Sequence, residues 1–299
     1  MANTLYLETD DVLSLEEYVE YAETSIDTTD YDCILASAPK LRALMNNPSV
    51  MANEVNRQLG SWRENRNEFK FYTSQVFVLH NAKKFTVRAA TWGPPSDDPR
   101  IHQAERSMYY YDRPHDHNFC FLTGGYLGSG YETLIYEYDY DSVKGEIGER
   151  VDVTFLENTS LPQGKIMFYR ASKDIHSQLP AKEFSISLNL LIHNEAEGAK
   201  IQFDFDLDPG AETGEISGYT RRDDQAAVTL CDIAARTGDG RTASLLSDIA
   251  LTNANPRVRA QSLISLAALD VNRRNEVIAT ALRDENRIVG DLVQRSVYC

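Results

Sequence analysis

Behind Ser14, apolar residues recur at Leu15, Tyr18, Val19 and Ala22, the spacing of a capped helix with one buried face. A second helical stripe runs from about Ala38 to Leu59 and is interrupted by Asn46-Asn47-Pro48. Residues 1–66 therefore read as an N-terminal helical segment. From Phe71 the period drops to two, and the stretches 71–80, 84–92, 117–123, 131–139, 151–157, 165–171, 184–193 and 200–207 are rich in β-branched and aromatic residues. Turn residues such as Gly124-Gly125, Gly128, Gly130 and Pro162 separate them. Eight short strands without a helical pattern between them predict a closed or double-sheet β architecture. The fold expected over 67–210 is a β-barrel of jelly-roll type. The long excursion 94–113 before the third strand is expected to be a lid or substrate loop.

Beyond Pro209-Gly210 the pattern is helical again, with stripes at Leu230/Ile233/Ala234, Leu245/Leu246/Ile249/Ala250, Ala260/Leu263/Ala267, Val277/Ile278/Ala281/Leu282 and Ile288/Leu292. The second and fourth stripes repeat at an offset of 32, and Asn255-Pro256-Arg257-Val258 is echoed by Glu285-Asn286-Arg287-Ile288. Residues 221–299 thus resemble HEAT-type repeats. That resemblance implies a protein partner or a homo-oligomer contacted through the tail, unless the helices only brace the barrel.

Composition sharpens the division. The 299 residues carry a net charge of −15, but 221–299 hold 11 Arg, no Lys and 10 acids, net +1, which leaves 1–220 at −16. Nucleic acid and anionic membrane surfaces are therefore not expected as partners. On the same ground a neutral or cationic small molecule is the expected guest of the barrel. Four cysteines without CxxC spacing predict neither a disulfide framework nor a cysteine zinc site, and fit a cytoplasmic protein. The first eleven residues are acidic where an export signal is basic, and stretches such as Leu188–Ile192 are too short to span a membrane.

The candidate chemistry lies in His115-Asp116-His117, read as the start of a strand, where positions i and i+2 share a face. His176, after the Pro162-Gln163-Gly164 turn, is placed near the same mouth. Three imidazoles there suit a divalent transition metal with open positions; surface histidines beside an aspartate are the plainer alternative. Second candidates are Asp116, Ser187 and Asn189 as groups that orient ligands, and Arg100, Tyr109, Tyr110 and Tyr111 of the excursion as substrate contacts. His80 and His193 read as ordinary half-buried residues at strand ends.

His115-Asp116-His117 is followed by Cys120-Phe121-Leu122 and then by Gly128 and Glu132-Thr133-Leu134. With Tyr72-Thr73 and Trp92-Gly93 upstream, and Ile175-His176 and Ser185-Ile186-Ser187-Leu188 downstream, this order of landmarks resembles the thiol dioxygenase (cysteine dioxygenase) branch of the cupin superfamily over residues 70–195. The resemblance implies a jelly roll in which His115, His117 and His176 hold a mononuclear iron(II). The glutamate that other cupins place shortly after the second histidine is missing here, as in that branch.

Two departures stand out. The family's arginine after Tyr-Thr, which holds the substrate carboxylate, is Ser74, and its late-strand serine, histidine and tyrosine become Ser187, Asn189 and Leu191. Tyr72 and Ser74 remain the matching substrate-site positions. No tyrosine is left to cross-link Cys120, which reads as a small buried hydrophobe. The expectation is a non-haem iron(II) oxygenase using O2 on a small molecule other than free cysteine. A metal-dependent cupin isomerase or hydrolase, and a non-catalytic ligand-binding cupin with an interaction tail, are the alternatives.

Overall fold

A computed structural model describes residues 3–64, 73, 75–220 and 225–297. Strand β1 (Asn3–Tyr6) precedes α1 (Leu15–Ser25), α2 (Tyr31–Ala36), α3 (Ala38–Met45) and α4 (Ser49–Arg63). Helix α1 starts at the Ser14 cap, whose hydroxyl accepts from Glu17 N–H while Glu17 returns a bond to Ser14 N–H. The break at Asn46–Pro48 divides α3 from α4.

The β region follows as β2 (Val76–Asn81), β3 (Phe85–Trp92), helix α5 (Pro99–Tyr109), β4 (Phe121–Leu127), β5 (Glu132–Tyr138), β6 (Arg150–Ser160), β7 (Lys165–Tyr169), β8 (Asp174–Gln178), β9 (Ser185–Ile192), a short α6 (Glu195–Gly198), β10 (Phe203–Asp206) and β11 (Thr213–Tyr219). The tail is α7 (Gln225–Thr237), α8 (Gly240–Thr252), α9 (Pro256–Leu269), α10 (Arg274–Ala281) and α11 (Arg287–Val297).

The strands form two antiparallel sheets, β1-β7-β4-β9-β3-β2 and β10-β11-β6-β5-β8. The expected closed barrel is therefore corrected to a two-sheet sandwich. Among the described residues, hydrogen-bonded ladders stop at β1 and β2 in one sheet and at β10 and β8 in the other, and only isolated bridges lie outside them. The N-terminal segment is not wholly helical either, since β1 forms the edge beyond β7 with Leu5 opposite Ile166. Four residues are too few for a period to show.

Alternation along the central strands explains the layers. Phe85, Val87 and Ala89 of β3 and Leu188, Leu190 and Ile192 of β9 face outward, packed with Tyr18, Ile34, Leu41 and Leu44 of the N-terminal helices. Ala90, Trp92 and Leu191 face the second sheet, in a core with Phe121, Tyr131, Ile135 and Tyr169. At the β4–β5 turn Gly130 has φ +72, and a Cβ there would sit 1.9 Å from the Leu161 carbonyl oxygen, so only glycine fits.

The excursion is a helix, not a loop. Asp98 caps α5 by accepting from Arg100 N–H, and Pro99 takes its first position. No residue of α5 is buried, which is why no apolar stripe announced it. Nor was β11 foreseen, where the sequence shows a turn and then a composition boundary. In the tail, α9 packs against α7, α8 and α11. Ile288 of α11 joins a separate cluster with Phe203, Phe205 and Ile216 of the second sheet. Among the described residues no helix is long and apolar enough to cross a membrane.

Candidate metal centre

The histidine pair does not lie on a strand, because β4 begins only at Phe121. After Asp112, which is left-handed at φ 55, residues 113–116 instead run between β8 and β10, with His115 bridged to both His176 and Asp204. Asp112 N–H donates to Gln178 O, His115 and His176 exchange both backbone bonds, and Phe205 N–H donates to Pro114 O. The alternation expected of an extended segment survives. Asp116 points away from its neighbours and is 0% exposed. Its carboxylate accepts from the Tyr138 hydroxyl and from Phe203 N–H, each at 2.6 Å. Burial pushes this carboxyl up to about 7 against the pull of those two donors. Asp116 thus anchors the segment and does not face the cavity, which corrects its expected place among the site groups.

His115, His117 and His176 present ligand atoms that all lie within 4.8 Å of one another. Nε2 of His115 and Nε2 of His176 are 3.0 Å apart. Two nitrogens held at right angles by one ion at about 2.1 Å would lie about 3.0 Å apart, so the spacing fits two adjacent ligands. His115 Nδ1 sits 2.7 Å from the Arg113 carbonyl and His117 Nδ1 3.1 Å from Gln202 Oε1. Gln202 is itself oriented, since its amide donates to Asn118 Oδ1 at 2.8 Å. Each Nδ1 then carries the proton, and Nε2 is left as the donor atom.

His176 is 1% exposed. Burial, reinforced by the two neighbouring imidazoles, holds its pKa well below the ordinary value, so it stays neutral, the form a metal requires. Its Nδ1 is buried without a hydrogen-bond partner among the described residues. Aromatic rings fix the imidazoles from the sides: Phe119 stacks on His117 at 4.6 Å, and Tyr169 meets His176 edge-on at 4.5 Å. The donor set of three neutral imidazoles fits a divalent transition metal with open positions.

A cavity of about 60 Å³ opens over the three histidines, walled by Thr123, Asn189, Trp92, Tyr109, Tyr110 and Arg88 among others. Asn189, Tyr109 and Tyr110 therefore lie where the sequence expected contacts. Tyr110 packs edge-on against His115 and its hydroxyl donates to Asp204 at 2.7 Å. The remaining candidates sit elsewhere. Arg100 points to solvent with 87% of its side chain exposed and pairs with Asp98. Tyr111 is buried, its hydroxyl donating to Gly93 O and accepting from Ala181 N–H, which ties the end of α5 down. Ser187 is spent beneath Trp92, whose indole N–H donates to it at 3.0 Å. Tyr72 and Ser74 lie outside the described residues. The Cys120 thiol is buried, accepts from Ala171 N–H at 3.3 Å and is pushed up to about 11 by that burial, the signature of an inert core sulfur.

Three site residues were missed. Gln202 lies between α6 and β10, directly before Phe203, and no residue type or spacing there marks it as a partner of a histidine ligand. Gln178, two positions after His176 on β8, was hidden with that strand. Arg88 was legible, because a charge at an alternating position inside the apolar run 85–92 must face the second sheet.

No protein-family model and no curated protein matches this chain. Among solved structures it is similar to one described as DMSP lyases, at 15% identity and a TM-score of 0.25, over 40% of this chain and 46% of that one. The chain thus spans less than half of that protein. It is also similar to prolyl 4-hydroxylases from Phytophthora capsici, at 12% identity and a TM-score of 0.18, over 95% of this chain and 82% of that one. Likenesses this weak carry no argument about what the chain does.

Proposed function

We propose that the protein is a mononuclear non-haem iron(II) oxygenase that acts with O2 on a small molecule. The observation that carries the reading is the convergence of His115, His117 and His176 on one cavity, two of them held at Nδ1 by acceptors so that Nε2 faces inward. The likeness of 115–134 and 175–188 to the thiol dioxygenase motifs agrees with it. Iron(II) held there supplies redox chemistry with O2, and three imidazoles leave positions for a substrate beside it. The chain's own groups do the rest. Asn189 and Thr123, opposite each other on β9 and β4, offer polar contacts on the cavity wall. Trp92, Tyr131 and Phe121 exclude water from it. Free cysteine is not the substrate we propose, because the late strand offers Asn189 and Leu191 in place of the family's histidine and tyrosine.

Anaerobic loading followed by metal analysis and O2 consumption tests this. One iron per chain with substrate-dependent O2 uptake is the expected result. Zinc or nickel retained without uptake would point to an isomerase or hydrolase, and failure to retain any metal would leave a binding module.

A further inference from the structure

Helix α5 stands apart from the rest of the fold. Gly93 and Tyr111 are buried, yet no residue from Pro94 to Tyr110 between them is. The helix packs broadly on no other element among the described residues. Its polar contacts close on themselves: Ser96 N–H donates to Glu105 at 2.6 Å, His102 Nδ1 lies 2.8 Å from Ser96 O, Asp98 pairs with Arg100, and Arg106 pairs with Asp112. A helix of 11 residues is marginal by itself in water, so contacts at its ends must keep it in place.

The two ends of the excursion meet. The Tyr111 hydroxyl donates to Gly93 O at 3.1 Å, so 94–110 forms a flap on a tied stem. Tyr110 and Asp112, on either side of Tyr111, are left-handed at φ 60 and 55. Residues other than glycine hold such angles where their surroundings enforce them. For Tyr110 those surroundings lie against the second sheet. Its hydroxyl donates to Asp204 on β10 at 2.7 Å, its ring lies edge-on to His115 at 4.6 Å, and the Arg113 guanidinium covers it at 4.3 Å while reaching Asp204 at 3.4 Å. Asp204 also accepts from the Thr220 hydroxyl at 3.3 Å, and its backbone is bridged to His115, so it is a held acceptor beside the ligand segment. Tyr109 and Tyr110 wall the metal cavity. A flap that swung on its stem would carry both rings out of that wall.

We propose that residues 94–110 are a lid over the metal cavity and that Asp204 is the positioning residue that latches it, through the Tyr110 hydroxyl. Elements with few buried contacts open at a low free energy, which suits a lid. The latch is a hydrogen bond to a carboxylate, whose loss shifts an equilibrium by about tenfold or more. As a gate the proposal rests on the metal site of the oxygenase reading; as a hinged element it stands by itself.

Hydrogen exchange of the full-length, metal-free protein tests the hinge, and the kinetics of zinc, a probe without redox chemistry, test the gate. Amides of 99–109 should exchange together, roughly a hundredfold faster than those of the buried α9. Tyr110→Phe, which keeps the ring against His115 and deletes the hydroxyl, should speed exchange in 99–109 by about tenfold and leave α9 unchanged. Asp204→Asn, which keeps an oxygen there without the charge, should give a smaller rise. Tyr110→Phe should also raise the rates of zinc uptake and of zinc extraction by EDTA by one common factor, so that Kd stays constant. A role confined to holding His115 would change Kd instead and overturns the proposal. Exchange of 99–109 untouched by Tyr110→Phe overturns the latch, and faster exchange with unchanged zinc rates overturns the lid. A chain that takes up no zinc sinks the metal site and the gate with it, while exchange still decides the hinge. Zinc gated as expected, with no O2 uptake by the iron-loaded protein, sinks the oxygenase alone.

Discussion

His115 and His176, 61 positions apart in the chain, hold their Nε2 atoms 3.0 Å from each other. Backbone sets that distance: His115 N–H donates to His176 O at 3.0 Å and His176 N–H returns a bond to His115 O at 2.9 Å. With His176 buried, placing a proton on both imidazoles would bring two unscreened charges together, so the arrangement favours neutral nitrogens that face a common cation.

Removing any one of the three converging imidazoles leaves too few donors to compete with water and buffer. His115→Ala, His117→Ala and His176→Ala should each lose most of the bound metal after anaerobic loading and desalting. His80→Ala and His193→Ala should retain it, because neither belongs to the cluster. Full occupancy in all three cavity variants, read by elemental analysis, would show that the metal sits elsewhere.

Gln202 accepts from His117 at Nδ1 and is buried. Loss of such a partner releases the ring and typically costs roughly 10–100-fold in metal affinity. Gln202→Leu should therefore need that much less chelator to strip its metal, with the melting temperature of the metal-free protein close to that of wild type. Unchanged competition with a chelator would show that His117 needs no such support.

Much of this was legible in the sequence wherever a period is long enough to be read. The Ser14 cap, the break at Asn46–Pro48 and most of the strands follow from local pattern. Sites of the other kind depend on tertiary pairing. Strand β8 is five fully buried residues around His176 with no alternation, and β1 is too short to read. Closure of the barrel was a question of which edges pair, which no local pattern answers. In the site, His115 and His117 share a face as their spacing requires, although the segment is an isolated bridge rather than a strand. Two candidates that do not join the cavity, Ser187 and Tyr111, are each held by a partner on another element or its flank, Trp92 and Gly93.

Asp116 ties the ligand segment to the second sheet through Tyr138 and Phe203. Asp116→Ala would strand two buried donors at about 1–3 kcal/mol each. The variant should unfold in denaturant with a stability loss of roughly 3 kcal/mol, and Asp116→Asn, which keeps an acceptor, should lose less. Equal stability of the two variants would mean that the anchor is only steric.

In the tail, Asp284 accepts from Arg259 at 2.8 and 2.7 Å. Burial works to raise this carboxyl, but the bonds from Arg259 prevail and its pKa is lowered. A depressed native pKa gives stability that is present above the ordinary carboxylate value near 3.8 and lost as pH falls through the lower native value. Asp284→Asn should therefore be less stable than wild type at pH 7, by on the order of 1–3 kcal/mol, with a smaller difference at pH 3. Urea unfolding followed by circular dichroism at both pH values measures it. A difference that persists unchanged at pH 3 would show that the ion pair is not its source.

Helix α11 covers part of the second sheet through Ile288 and Leu292, packed with Phe203, Phe205 and Ile216. Gly145, at φ +80, lets Ile288 approach so closely that a Cβ there would lie 2.6 Å from its Cδ1. Shortening Ile288 to Ala should cost about 2–5 kcal/mol, since the contact cannot collapse onto a glycine. Ending the chain at residue 220 removes the cover altogether and bares that apolar cluster, so the shortened protein should self-associate more strongly than the full chain. All three histidines precede the cut, and the bridge between His115 and His176 is made within 1–220, so the metal should be retained. Light scattering together with metal content on the shortened chain checks both halves. A soluble product in the parent's oligomeric state that has lost its metal would show that the tail builds the site rather than covering the sandwich.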